Sequence, residues 1–158
     1  MKVFTAPEGV LIGWGESTIF LAGSIEQGKA ANWQQVVIDA LKQHRDADDL
    51  VILNPRRDAW DAMWDQTEDN PELVKQVRWE LANLELADLT FFYFQAGTLS
   101  PISLLELGKV CGANQNAIVV CEPGFWRRGN VAVTAEMARI EVFDHLDAGI
   151  ERLLQVDF

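Results

Sequence analysis

Apolar residues fall along this chain in short unbroken runs, separated by longer stretches in which they recur every three or four positions. Thr18-Ile19-Phe20-Leu21-Ala22, Leu50-Val51-Ile52-Leu53, Leu89-Thr90-Phe91-Phe92-Tyr93-Phe94, Ala117-Ile118-Val119-Val120-Cys121 and the shorter Ile140-Glu141-Val142-Phe143 predict five strands. Each run is apolar throughout rather than alternating. A strand of that kind is covered on both faces, so the pattern predicts a parallel sheet between two layers of helix. Helices are expected over about 32–43, 70–86, from Pro101 onward, 131–138 and 146–154. On the second, Val77, Leu81 and Leu84 share one face, broadened by Trp79 and Ala82, with Glu80 inside the helix. On the last, Leu146, Ile150, Leu153 and Leu154 are expected to meet the sheet. Residues 1–17, with Pro7, Gly9, Gly13 and Gly15, read as an extended lead-in carrying short strands at 2–5 and 10–12.

The helix after the third run shows its start in the sequence. Gln95-Ala96-Gly97-Thr98-Leu99 breaks the strand, Ser100 is a good N-cap, and Pro101 suits the first helical position, where its missing N–H costs nothing. Ile102, Leu105 and Lys109 then lie on one side and Leu104, Leu107 and Val110 on others, which predicts a mostly buried helix with Glu106 in its second turn. Glu106 reads in two ways. It is either turned to water or to the positive end of the helix dipole, or it is a nucleophile or base at the carboxyl edge of a parallel sheet, where open α/β folds place their ligands.

Length and composition narrow the class. The chain has 158 residues, 49% of them hydrophobic and 23% charged, which suits one domain over 1–158. No window is long and apolar enough for a membrane span and the N-terminus lacks the apolar run of a signal peptide, so a cytoplasmic protein is expected. Cys111 and Cys121 are isolated, as small buried hydrophobes in a reducing compartment are. A net charge of −11 argues against a nucleic-acid polymer as partner, though not against a small phosphorylated ligand. Arg56-Arg57 and Arg127-Arg128 are the local basic exceptions, each in a loop after a strand. His44 and His145 have no metal-ligand spacing with cysteines or acids, so neither metal nor cofactor is expected.

Other chemistry clusters at predicted strand ends. Gly23 and Ser24 offer backbone N–H groups and a hydroxyl to an anion, but the loop through Gly28 lacks the glycine pattern of a dinucleotide or P-loop site. Trp60 and Trp64, after the second strand, read either as a platform for a planar ring or as a lid over the core. Glu122 to Asn130 is a turn-rich loop containing Trp126.

Phe20-Leu21-Ala22-Gly23-Ser24-Ile25, Asn54-Pro55-Arg56-Arg57, the helix that carries Glu80 and ends at Ala87-Asp88, and Ser100-Pro101-Ile102-Ser103-Leu104-Leu105-Glu106-Leu107-Gly108 together resemble the nucleoside 2-deoxyribosyltransferase family and its relatives. The likeness extends over roughly 18–130 and rests on the order and spacing of the motifs. It implies a flavodoxin-like doubly wound sheet of about five parallel strands, a homodimer or higher oligomer with shared pockets, and small nucleoside or nucleotide substrates. Glu106 matches the family's nucleophile and Glu80 its second acid, where relatives usually carry Asp. Ser100 stands where the transferases have an Asp that holds the sugar's 5′-hydroxyl and where related deoxynucleoside 5′-monophosphate N-glycosidases have Ser. Gly23, Ser24 and Ile25 resemble the phosphate-side loop of those glycosidases. Asn54, Arg57, Asp58 and Trp60 are expected to bind substrate, and Asn130 to reach a neighbouring subunit's pocket.

The chemistry implied is attack of Glu106 on C1′ from the face opposite the base, a covalent deoxyribosyl-enzyme, and assistance to the leaving base by Glu80, with retention at C1′. Interception by another base makes a transferase; interception by water makes a hydrolase. A nucleotide-binding module without catalysis, and an oligomeric interaction domain using the Trp126 region, are the readings from other classes.

Overall fold

The computed structural model describes residues 1–25, 30–57 and 64–158. Its frame is a parallel sheet of six strands: β1 (Lys2–Thr5), β2 (Ser17–Gly23), β3 (Leu50–Asn54), β4 (Leu89–Phe94), β5 (Ala117–Cys121) and β6 (Val142–Phe143), in the spatial order β1-β3-β2-β4-β5-β6. Without β1 this is the flavodoxin-like order, in which the chain winds outward first to one side of β2 and then to the other. The lead-in supplies the sixth strand. β1 lies on the outer edge of β3, pairing Lys2 with Val51 through Thr5 with Asn54. The second strand expected there, at 10–12, does not form; Leu11 and Ile12 are exposed and no β pairing engages them.

The helices are α1 (Trp33–Leu41), α2 (Pro71–Leu86), α3 (Pro101–Gly112), α4 (Arg128–Met137) and α5 (Leu146–Leu153). They are sorted by the alternation of strand side chains. Ile19, Leu21, Ile52, Phe91 and Val120 face a core closed by Trp33, Val37, Leu41, Ile150 and Leu153 of α1 and α5. Phe20, Val51, Leu53, Phe92, Phe94 and Val119 face the other, closed by Trp79, Leu84, Leu107, Val110 and Val131 of α2, α3 and α4. Both faces are thus dry, as the continuous apolar runs predict.

Two helices bury other faces than expected. On α2 the residues turned to the sheet are Gln76, Trp79, Asn83 and Leu84, whereas Val77 and Leu81 are exposed. Gln76 and Asn83 tolerate burial because their amides donate to Pro55 O and Trp79 O at 3.0 and 2.7 Å. On α3 the buried residues are Ser103, Glu106, Leu107 and Val110, and Ile102 and Leu105 stand out into solvent. The helix is half-buried rather than mostly buried, and its inward stripe carries the acid.

Candidate active site

Since all six strands run parallel, their carboxyl ends share one edge of the sheet, and the loops after β2, β3 and β4 meet there. Between β2 and β4 the winding reverses, which opens the crevice where such sheets bind ligands.

Close approach of backbones shapes the crevice. Gly23 has φ 149°, and a Cβ there would lie 2.2 Å from Tyr93 O and 2.9 Å from Tyr93 N. Only glycine fits so near β4. The next residue donates its N–H to Tyr93 O at 2.9 Å, so the Ser24 amide is spent inside the sheet rather than offered to an anion. Gly23 O accepts from Ser103 Oγ at 3.0 Å, tying α3 to the end of β2, and Trp33 Nε1 donates to Ser24 O at 2.8 Å from beneath. Ile25, half-buried, closes the loop by accepting from Ala30 N at 3.2 Å.

Ser100 begins α3 as expected, yet its hydroxyl does not cap the helix. The residue is left-handed, φ 46° and ψ 49°, and makes no side-chain capping bond. Its Oγ lies 2.7 Å from Ser24 Oγ and 3.1 Å from Thr98 Oγ1, and Ser24 Oγ lies 2.7 Å from Thr98 Oγ1. All of these hydroxyls are buried. Thr98 Oγ1 donates to Gln95 O and Ser24 Oγ accepts from Gln95 N, so the cluster locks the β4–α3 loop. Glu122 holds the same loop from β5, accepting from Ala96 N at 2.8 Å and Tyr93 Oη at 2.5 Å.

Glu106 is 6% exposed, which removes the reading of a side chain turned to water. Desolvation, and then the nearby charge of Glu80, push its carboxyl up to about 8. Burial also raises Glu80, opposed by the amide of Gln76, whose Nε2 donates to Glu80 Oε1 at 2.8 Å. Two carboxyls are thereby brought together from α2 and α3. Among the described residues no cation contributes to either acid, so the pair keeps a proton near neutrality.

The Asn54-Pro55-Arg56-Arg57 loop packs beside them. Asn54 Oδ1 accepts from Arg56 N at 3.0 Å, an Asx turn that shapes the strand exit. Arg56 reaches Ala30 O and Ala31 O at 3.1 and 3.0 Å, joining this loop to the one after β2. Arg57 is largely buried: its Cζ sits 4.8 Å above the Trp64 ring, Nη2 is 3.9 Å from Glu72 Oε2, and Nη1 is buried with no partner. Gln34 Nε2, Gln76 Oε1 and Gln95 Oε1 are likewise buried and unpartnered. All belong to elements at the carboxyl edge, and among the described residues none of these four atoms has a hydrogen-bond partner in the chain. Gly28, Asp58, Trp60 and Met63 lie outside the described residues.

Asn130 is not brought to the acids. It is exposed on α4 and lines a groove of about 300 Å³ with Leu104, Leu107, Gly108 and Val131, between α3 and α4. Trp126, half-exposed, donates to Leu99 O at 2.9 Å and is covered by Arg127, 4.2 Å from its ring centre. A wider groove of about 670 Å³ lies at the opposite, amino edge, near Asn114, Arg139 and Arg152; Glu106 lines neither groove.

Gln76, Thr98, Ser103 and Glu122 pack into this candidate site without having been singled out from the sequence. A signal existed for Gln76, which stands one helical turn before Glu80.

The sequence model of the family described as "Nucleoside 2-deoxyribosyltransferase like" matches residues 16–125. The chain belongs to that family. The match takes in every strand from β2 to β5 and both acids. No curated protein matches the chain. Among solved structures, the chain resembles a conserved protein from Enterococcus faecalis V583 at 12% identity and a TM-score of 0.61, with 89% of this chain and 98% of that one covered. That likeness speaks for the fold. Membership of the nucleoside 2-deoxyribosyltransferase-like family points to a glycosyl-transferring or related enzyme acting on small nucleosides. Among the described residues no helix is long and apolar enough to cross a membrane.

Proposed function

We propose that the protein cleaves the N-glycosidic bond of deoxynucleosides through a covalent intermediate on Glu106 and passes the sugar to another base. The observation that carries this reading is the burial of Glu106 at the switch point of the sheet, next to a second carboxyl and, among the described residues, without a compensating cation. A buried structural acid is ordinarily paired with a cation, and among the described residues none contributes to this one. Breaking a C1′–N bond asks for a nucleophile below the sugar and a proton for the departing nitrogen. A pair of carboxyls that together keep a proton holds both. In the reaction the Glu106 carboxylate bonds to C1′, the C1′–N electron pair goes to the base nitrogen, and Glu80 delivers the proton there. The reverse steps with a second base complete the transfer with retention.

A 5′-monophosphate N-glycosidase, with water as acceptor, is the second reading. It is favoured by Ser100 and its hydroxyl neighbours Ser24 and Thr98, side chains that bring no negative charge of their own against a phosphate. Gly23, Ile25, Asn54, Arg57, Asp58 and Trp60 complete the proposed substrate set in either case, with Asn130 serving a neighbouring subunit. The exposed Val77, Leu81, Ile102 and Leu105 supply an apolar face for a second copy. A cytoplasmic setting suits the free thiols of Cys111 and Cys121.

A mixed panel of nucleosides and 5′-monophosphates, incubated with and without acceptor base and followed by chromatography for free base and new nucleoside, tests the proposal. New nucleoside that vanishes in Glu106→Ala supports transfer, and free base from monophosphates alone supports the glycosidase. Ligand-induced stabilisation without any released base would leave only a binding module.

A further inference from the structure

The buried side chain next to the acids that the reading above leaves without a task is Gln76. It is 2% exposed, within the inward stripe of α2. Its amide orientation follows from its partners: Nε2 lies 3.0 Å from Pro55 O and 2.8 Å from Glu80 Oε1, and both are acceptors. With the amide turned the other way, its oxygen would face two oxygens. One hydrogen is therefore anchored on the loop after β3 and the other is aimed at the acid. Oε1 is left buried and unpartnered. An apolar side chain of the same length would pack here without stranding an acceptor, so packing alone does not explain a glutamine at this position.

We propose that Gln76 is a positioning residue: its amide, anchored on the Pro55 carbonyl, holds the Glu80 carboxylate in its ionised form and so leaves the proton of the acid pair on Glu106.

A neutral amide N–H stabilises a carboxylate and gives nothing comparable to a protonated carboxyl oxygen that is itself a donor. Among the described residues Glu106 has no such donor: its shift is caused by burial and by Glu80. The charged and titratable groups that bear on the pair among the described residues are the two acids themselves, so the amide breaks the tie between them. This inference rests on the proposed N-glycosidic chemistry for its consequence. The resting polarity is the reverse of what attack requires, so the proton of Glu106 must first pass to Glu80. Glu106, then ionised, bonds to C1′ as the C1′–N bond breaks, and the base nitrogen, which keeps that electron pair, takes the proton from Glu80. Ligand binding that weakens the Gln76–Glu80 bond would favour the transfer, so that Glu106 becomes ionised for attack on C1′ only when the pocket is filled.

The test uses the ligand-free protein labelled with carboxyl-¹³C glutamate, with signals assigned through Glu80→Gln and Glu106→Gln. Glu80 is expected to titrate below Glu106 in the wild type. In Gln76→Met the Glu80 midpoint should rise by about one pH unit, the size of one neutral hydrogen bond. The order in the wild type does not depend on Gln76→Met folding, and Glu106 titrating first would overturn the inference. So would a Gln76→Met protein that folds with both midpoints unmoved, since that is the behaviour of a packing residue. Turnover is read separately: in Gln76→Met the pH profile of base release should move with the Glu80 midpoint while KM is held. Absence of base release from the wild type, with the titration as expected, would sink the proposed function and leave Gln76 in place. Base release with an unmoved titration would do the converse.

Discussion

The hydroxyl oxygens of Ser24 and Ser100 lie 2.7 Å apart although 76 positions separate them in the chain. The contact joins the exit of β2 to the first turn of α3, and so fixes where the helix bearing Glu106 begins. Ser24→Ala strands the Gln95 N–H that Ser24 Oγ accepts, in a buried place, and should cost about 1–3 kcal/mol. At Ser100 two substitutions separate hydroxyl from backbone. Ser100→Ala loses the bond and keeps the left-handed backbone of φ 46°, whereas Ser100→Gly loses the same bond and sheds the strain. Urea denaturation should find the glycine variant more stable than the alanine one by about 1 kcal/mol.

Glu106 makes the protein's stability depend on pH in an unusual direction. In the unfolded chain it titrates at an ordinary ~4.3. In the fold, burial and the Glu80 charge push it up to about 8. Between those values the native state binds the extra proton, so stability falls as pH rises through this window and is lowest above it. Glu106→Gln mimics the protonated form and removes that dependence. Its melting temperature should match the wild type at about pH 4 and exceed it by several degrees at about pH 9, since several kcal/mol of ionisation cost are then absent. Equal curves for the two proteins across that range would show that the carboxyl is not desolvated.

Gly23 gives a sharper structural test. A methyl group there meets Tyr93 O at 2.2 Å, and the opposing atom is backbone of a central strand that cannot yield. Gly23→Ala should cost on the order of 3 kcal/mol or more, by clash and by the unfavourable φ together. Because β2 and β4 must part at the crevice to admit it, base release should fall more than it does in an equally destabilised variant elsewhere in the core. Thermal denaturation and the chromatographic assay on the same samples separate the effects.

The strands were legible because a parallel sheet buries both faces: Leu89–Phe94 and Ala117–Cys121 stand where the apolar runs put them. Helix faces were less so. Val77 and Leu81 look like core by hydropathy, but α2 turns Gln76 and Asn83 inward, and their burial depends on acceptors at Pro55 and Trp79 that hydropathy does not register. At Ser100 the position of the cap was readable and the hydroxyl's partner was not, since Ser24 and Thr98 reach it only through the fold. Glu106 could be singled out as a carboxylate among apolar neighbours. Its burial and the closeness of Glu80 required the packing of α2 against α3.

The misjudged faces have a consequence of their own. Val77 and Leu81 of α2 and Ile102 and Leu105 of α3 are exposed, at 39%, 41%, 60% and 71%, on neighbouring helices bridged by the Lys109–Glu85 ion pair at 3.3 Å. Spaced at i, i+4 and i, i+3, the two residues of each pair share a face of their helix. A monomer gains nothing by wetting these four large apolar side chains, whereas a second copy related by a two-fold axis through α2 and α3 would bury them twice over. Sedimentation equilibrium should therefore give a mass above the 17.7 kDa of one chain. Leu81→Lys with Leu105→Lys places like charges on both sides of such an axis and should bring the mass down to that of the single chain, with little change in helix content. If the substituted and native proteins sediment alike as oligomers, the contact lies on another face; if both are single chains, the shared pocket expected through Asn130 has no partner to form it.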